Sequence, residues 1–174
     1  MNPSISENYK AILEAVLMAS DEPLSLQQLA DLLANDLSLP EIKAYLAELQ
    51  QDYANRGIEL KCLFSGYAFQ TSTQYASWVA KLFQEKPAKY SRALLETLAL
   101  IAYKQPITRP EIEAIRGVAV STHIMKILLD REWIRTAGHR DVPGKPTLFA
   151  TTSYFLDYFN LSSLNELPKL EEIV

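Results

Sequence analysis

Few residues in this 174-residue chain have side chains suited to catalysis or metal binding. They are two histidines, His123 and His139, and a single cysteine, Cys62. Because zinc sites draw most of their four ligands from His and Cys, these residues are too few for a zinc cluster. Both histidines are interpreted as surface or packing residues. Cys62 falls on the inward face of a predicted strand, so we expect a buried structural thiol.

Other catalytic arrangements are also missing from the sequence. The five glycines include no glycine-rich phosphate-binding loop. Glu111 and Glu113 stand two apart in a predicted helix, where side chains at that spacing do not face each other. We therefore predict no catalytic residue, no cofactor or metal site and no small-molecule substrate. We predict that the protein is not an enzyme.

Residues 91–117 contain the clearest structural pattern in the chain. A strongly apolar helix is predicted over 91–103, followed by a turn at Gln105 and Pro106. A second helix is predicted to start at Thr108, which has capping-box spacing with Glu111. Two helices joined this closely indicate a helix-turn-helix.

A third helix is predicted over 121–131, followed by strands at 133–136 and 147–150. Turn residues occupy 138–144 between the two strands. Three helices and a hairpin make a winged helix, which we expect to span residues 90–160.

The first half of the chain has the same order of elements. Helices are predicted from Lys10, after Ser25 and from Pro40, with Leu26, Leu29, Leu32 and Leu33 on the inner face of the second. A half-buried strand follows, with Ile58, Leu60, Cys62 and Phe64 on one face. After it come a return strand at 67–71 and a closing helix at 73–83. The closing helix carries Tyr75, Trp78, Val79 and Leu82.

The predicted fold is therefore mainly α with small β-hairpins (α+β), arranged as two tandem winged-helix domains. We expect an N-terminal domain over 1–86, a C-terminal domain over 87–160 and a tail over 161–174. The boundary falls in the polar, proline-containing segment 84–89. In the tail, leucines recur every third residue up to Pro168, and residues 169–174 are expected to be frayed.

Composition predicts a soluble cytoplasmic protein. No apolar run reaches the roughly 18 residues of a membrane span. The N-terminal residues lack the pattern of a signal peptide. A single cysteine cannot form an intramolecular disulfide, as expected of a cytoplasmic chain.

Charge argues against strong binding to DNA. Residues 1–86 hold six Lys and Arg against eleven Asp and Glu, and residues 87–174 hold eleven against ten. Neither half has the positive excess that a phosphate backbone attracts. A weak contact through the second hairpin, at Arg135, Arg140 and Lys145, stays open, and so does the alternative of a winged-helix transcriptional regulator.

Apolar residues exceed what the predicted cores need. Leu94, Leu95, Leu98, Ile101 and Ala102 share one face of the helix over 91–103, and Leu100 and Tyr103 point away from that face. The last helix, 154–159, is apolar nearly all round. Such surplus favours a protein partner or self-association, unless the two domains or the tail cover it.

The sequence resembles the segregation and condensation protein B (ScpB) family, which accompanies the bacterial SMC–kleisin complex. The matching segments, mostly in the second domain, are 95–109, 111–118, 142–146, 151–152, 155–159 and the leucines before Pro168. Departures from the family pattern occur at Lys145, at Ala150 and over 119–124.

The resemblance implies a non-enzymatic subunit that forms a homodimer mainly through its first domain and binds the kleisin ScpA. Through ScpA it would join SMC at the nucleoid and act in chromosome condensation and segregation during cell division. The second domain is then the expected kleisin-binding part, with at most weak or indirect DNA contact. Its expected partner-binding residues are Leu100, Tyr103, Arg109, Arg116, Tyr154 and Tyr158.

Overall fold

In the computed structural model, the structure describes residues 8–83 and 90–168. The chain divides into two compact units, Met1–Pro87 and Ala88–Val174. The predicted linker at 84–89 and the predicted frayed end at 169–174 lie outside the described residues. Each unit has three helices followed by an antiparallel hairpin, which confirms the predicted pair of winged helices.

The first unit consists of seven elements within residues 8–83. They are α1 (Tyr9–Ala19), α2 (Leu26–Leu32), α3 (Leu39–Asp52), β1 (Ile58–Cys62), β2 (Tyr67–Thr71), a 3-10 turn (Thr73–Tyr75) and α4 (Ala76–Phe83). The capping box of Ser25 and Gln28 forms at the start of α2 as predicted. The core consists mainly of leucines and Ile42 from the three helices and β1, together with Ala30, Tyr53 and Tyr67.

The turn between α1 and α2 pairs with the hairpin. The N–H of Leu24 donates to the carbonyl of Tyr67 at 2.9 Å, and the N–H of Tyr67 donates back at 2.8 Å. Gly66 lies directly against this pair at φ +148°. A Cβ at position 66 would lie 2.3 Å from the carbonyl carbon and oxygen of Leu24, so the close approach requires glycine.

Three expectations for the first unit are wrong. Cys62 is exposed rather than buried. β1 ends at Cys62, and the turn after it reverses the alternation, so that Leu63 is buried and Phe64 is exposed. Leu32 is also exposed, because at 100° per residue it lies outside the arc of the buried Leu29, Ala30 and Leu33.

The predicted closing helix does not close the core. A 3-10 turn takes the place of its first residues, and the α-helix begins only at Ala76. Tyr75, Trp78 and Leu82 are 41%, 67% and 77% exposed. Over residues 76–82, no side chain of α4 belongs to the hydrophobic core.

The second unit adds one short strand to the same plan. Its elements are α5 (Arg92–Lys104), β3 (Ile107–Thr108), α6 (Arg109–Arg116), α7 (Thr122–Asp130), β4 (Ile134–His139), β5 (Thr147–Thr151), α8 (Ser153–Tyr158) and a 3-10 turn (Leu164–Glu166). The sheet is antiparallel in the order β3-β5-β4.

Two features of this sheet differ from the prediction. β3, which was not predicted, follows the predicted turn at Gln105 and Pro106 and pairs Ile107 with Phe149. β4 extends to His139 through an irregularity after Thr136, where Gly138 adopts φ +111°. His139 and Gly138 therefore belong to a strand and not to the turn, because a bulge lets the ladder continue past the glycine.

Trp133 lies at the centre of the second core with no exposed surface. Its ring lies 5.1 Å from that of Tyr90, 4.9 Å from that of Tyr158 and 5.2 Å from that of Phe159. The 3-10 turn and the leucines around it, Leu161, Leu164 and Leu167, pack against this core from the C-terminal side. The tail therefore covers part of the apolar surplus of the second unit.

Gly66→Ala tests the contact between the turn and the hairpin in the first unit. We expect the free energy of unfolding to fall by about 1–3 kcal/mol, because the new methyl group displaces the backbone at Leu24. Gly57→Ala is the matched control, since a Cβ there meets nothing within 4 Å. Urea denaturation followed by circular dichroism measures both. Equal stability of the two variants would contradict the close approach.

The capping box at Thr108 and Glu111 predicts a pH effect. The backbone N–H of Thr108 and then Arg140, whose Nη2 lies 2.8 Å from Oε1, lower the pKa of Glu111 to about 2. A lowered folded-state pKa contributes stability above the ordinary value of about 4.5, and this is lost as the pH falls toward 2. In denaturant titrations between pH 5 and 2, we expect Glu111→Gln to flatten the decline in stability. Glu132→Gln, at an exposed position, should leave it unchanged, and identical profiles for all three proteins would refute the assignment.

Candidate protein-docking surface

α5 has one side in the core of the second unit and another side on the surface. Ser91 caps the start of the helix, because its hydroxyl accepts the N–H of Leu94 at 3.2 Å. Its buried residues are Leu94, Thr97, Leu98, Ile101 and Ala102. Thr97 is accommodated in the core because its hydroxyl donates to the carbonyl of Ala93 at 2.8 Å.

Leu95 was predicted to belong to the core stripe of α5, but its side chain is 43% exposed. At 100° per residue it lies roughly 90° from the centre of the buried arc. Leu100, which was predicted to point away from the core, is half-buried and packs against the edge of the core.

The exposed side of α5 carries two shallow depressions. The first, of about 360 Å³, is lined by Leu95, Leu98, Ala99, Ala102, Tyr103, Phe155, Phe159, Leu161, Leu167 and Pro168. The second, of about 350 Å³, is lined by Glu96, Ala99, Leu100, Tyr103, Ile115 and Arg116. Ala99 and Tyr103 belong to both, so the depressions form one continuous strip, which we call the α5 surface.

The walls of the α5 surface are held by contacts from distant parts of the unit. The hydroxyl of Tyr103 donates to the carbonyl of Pro168, which ties the tail to α5. Ile115 is 54% exposed and stands on α6 beside the second depression. The surface is therefore assembled from α5, α6, α8 and the tail.

Two arginines share one carboxylate at the edge of the second depression. Glu96 accepts from Nε of Arg92 at 2.8 Å and from Nη2 of Arg116 at 3.1 Å. These bonds, first that of Arg92 and then that of Arg116, lower the pKa of Glu96. The group carries two positive charges and one negative charge.

Arg116 is mostly buried, with 10% of its side chain exposed. Its Nη1 donates to the hydroxyl of Thr97 at 3.3 Å. Its Nε has no hydrogen-bond partner among the described residues. A buried donor without a partner is costly, so it offsets part of the stability that the other hydrogen bonds of this arginine contribute.

Three of the six residues expected to bind a partner lie together on the α5 surface: Leu100, Tyr103 and Arg116. Tyr154 and Tyr158 are half-exposed on α8 in a separate aromatic cluster, where the hydroxyl of Tyr158 lies 3.1 Å from that of Tyr90. Arg109 pairs with Glu113 at 3.0 Å and lines neither depression.

Sequence reasoning missed Leu95, Ala99 and Ile115, which complete the strip. Leu95 was assigned to the core because helical spacing alone does not show where the neighbouring elements end. The sequence does not show on which side of the helix Ala99 lies, because a small residue is compatible with both the buried and the exposed side. For Ile115 a signal was available, because this large apolar residue stands directly before the charged Arg116 on α6 and so can lie on the exposed side of the helix.

The three residues considered for DNA contact differ in whether they form an ion pair within the protein. Arg140 forms two bonds with Glu111, at 2.8 and 3.0 Å, whereas Arg135 and Lys145 are exposed on the second hairpin. Within residues 8–83 and 90–168, no group of three or more His, Cys, Asp and Glu side chains could hold a metal ion. No helix in the same ranges is long and apolar enough to cross a membrane.

Comparison with known proteins identifies the family. The family model of the segregation and condensation complex subunit ScpB matches residues 11–170. A segregation and condensation protein B homolog from Coxiella burnetii is 59% identical over 170 residues, which is 96% of this chain and 81% of the relative.

Solved structures of related proteins also match. ScpB from Mycobacterium tuberculosis is 33% identical, with 92% of this chain and 99% of that chain covered and a TM-score of 0.42. The dimer of an ScpB N-terminal domain complexed with an ScpA peptide is 43% identical over 42% of this chain and 91% of that chain, with a TM-score of 0.38. The family model and the identity to curated relatives over nearly the whole chain confirm the resemblance seen in the sequence, and this chain belongs to the ScpB family of segregation and condensation complex subunits.

Proposed function

We propose that this protein is a non-enzymatic subunit of a bacterial SMC condensin-like complex that binds the kleisin ScpA as a homodimer. Its role is chromosome condensation and segregation during cell division, in the cytoplasm at the nucleoid. Family membership over residues 11–170 supports the proposal. The structural observation that carries it is that each unit exposes large apolar side chains on a helix, as protein-docking surfaces do.

The first unit is the proposed dimerisation domain, and α4 is its contact element. Helices shorter than about 12 residues are marginal in water without packing partners. α4 has eight residues, of which Trp78 and Leu82 are largely exposed. Lys81 covers one face of Trp78, with Nζ 4.1 Å from the ring centre, and leaves Leu82 open. A second copy of the chain would supply the missing apolar contacts.

The second unit is the proposed kleisin-binding domain. It contains the apolar α5 surface, whose two depressions have a combined volume in the range of ordinary binding clefts. A protein segment is the ligand that suits it, because the lining is mostly aliphatic and aromatic and offers few polar groups for a small molecule.

Co-purification with the cognate ScpA tests the proposed partner. We expect the two proteins, mixed at micromolar concentration, to elute as one complex in size-exclusion chromatography. ScpA mixed with an unrelated winged-helix protein is the control. Elution as two separate species would overturn the proposal. A salt-sensitive complex with duplex DNA, found in place of an ScpA complex, would favour a DNA-binding regulator.

The double variant Trp78→Asp/Leu82→Asp tests the dimer. We expect a shift from dimer to monomer in light scattering at about 10 µM, because two buried carboxylates would be unpaired in the interface. Leu32→Asp is the control, since Leu32 is 61% exposed and lies on α2. A double variant that remains dimeric while Leu32→Asp dissociates would place the interface elsewhere on the first unit.

A further inference from the structure

The α5 surface combines an apolar strip with an uneven distribution of charge. None of the ten residues that line the first depression is charged. The charged residues of α5 itself are Arg92, Glu96 and Lys104, and Arg116 joins them from α6. Among these four residues, three cations accompany a single carboxylate.

The single carboxylate is already fully engaged. Glu96 accepts from both Arg92 and Arg116, so it cannot neutralise Lys104 at the other end of the helix. Lys104 lines a third depression together with Glu111 and Arg140, which form a pair with no net charge. Arg92 and Arg116 thus bring positive charge to one end of the strip, and Lys104, which follows Tyr103 and lines the neighbouring third depression, brings positive charge near the other end.

The strip also has a specific shape, with a low point between its two depressions. Ala99, an exposed residue with a short side chain, separates the two depressions, so that a partner backbone can approach α5 closely there. Leu95 and Ile115 flank that point with half-exposed aliphatic side chains. Such relief suits an amphipathic helix, whose apolar side chains enter the depressions on either side.

We propose that the α5 surface binds an amphipathic segment of the kleisin that has aliphatic side chains on one face and Asp or Glu residues at both ends of that face. The aliphatic side chains fill the two depressions over Ala99. The acidic residues reach Arg92 and Arg116 at one end and Lys104 at the other, where charge-assisted hydrogen bonds are stronger than neutral ones. This inference rests on the proposed binding of ScpA and adds which surface is used and which chemistry it selects.

The apolar part of the proposal is tested with two leucine variants of similar exposure. Leu95 is 43% exposed within the α5 surface, and Leu129 is 37% exposed on α7 outside it. We expect Leu95→Gln to weaken binding of full-length ScpA at least tenfold in isothermal titration calorimetry, whereas Leu129→Gln changes it less than twofold. Thermal unfolding of both variants checks that they fold.

The charge part is tested with two exposed lysines. Lys104 is the last residue of α5 and follows Tyr103 of the strip, whereas Lys126 lies on α7. We expect Lys104→Glu to weaken ScpA binding about five- to tenfold at low salt and to reduce its salt dependence, because one attractive contact becomes repulsive. Lys126→Glu is expected to match the wild type.

The outcomes separate this inference from the proposed function. If the wild type binds ScpA and all four variants bind equally well, the kleisin uses another surface, and this inference fails while the proposed function stands. If Leu95→Gln weakens binding but Lys104→Glu does not, the acidic requirement is overturned. If the wild type does not bind ScpA, both proposals fail.

Discussion

Both units depend on one contact, the pairing of the segment between the first two helices with the second strand of the hairpin. In the first unit this contact is the reciprocal pair of Leu24 and Tyr67. In the second unit it is the pairing of β3 with β5. The backbone groups at the helix-helix turn would otherwise be unpaired in a partly buried position, which is costly. The pairing fixes the hairpin against the helices and so closes each core.

This closure also explains why the two units differ at the surface. In the second unit, α8 and the tail pack against Trp133 and the leucines around it, and the core is covered on that side. In the first unit, residues 76–82 of the corresponding helix, α4, do not belong to the hydrophobic core. The same architecture thus leaves the apolar side chains Trp78 and Leu82 of α4 exposed in one unit and forms a shaped apolar strip in the other.

Polar contacts between distant residues hold the second unit in shape. Arg140 on the hairpin reaches Glu111 in the first turn of α6, and Arg116 at the end of α6 reaches Glu96 on α5. In the sequence both arginines look like free surface charges, but in the structure each forms an ion pair that connects two elements of the fold. Arg140 is therefore less available for nucleic acid than its position in a basic hairpin indicates. Arg116 instead brings positive charge to the edge of an apolar depression.

The sequence by itself determined the architecture and the family. Helix starts were readable because a capping box is a local contact between residues three apart, as at Thr108 and Glu111. The tertiary structure alone decided which side chains of each element are exposed. Cys62 and Leu95 lie at positions that periodicity assigns to the core, but the strand ends at one and the neighbouring helices do not reach the other. The α5 surface could not be predicted either, because it forms where α6, α8 and the tail meet α5. Residues as far apart as Tyr103 and Pro168 line it together, and only the packing of the chain brings them into contact.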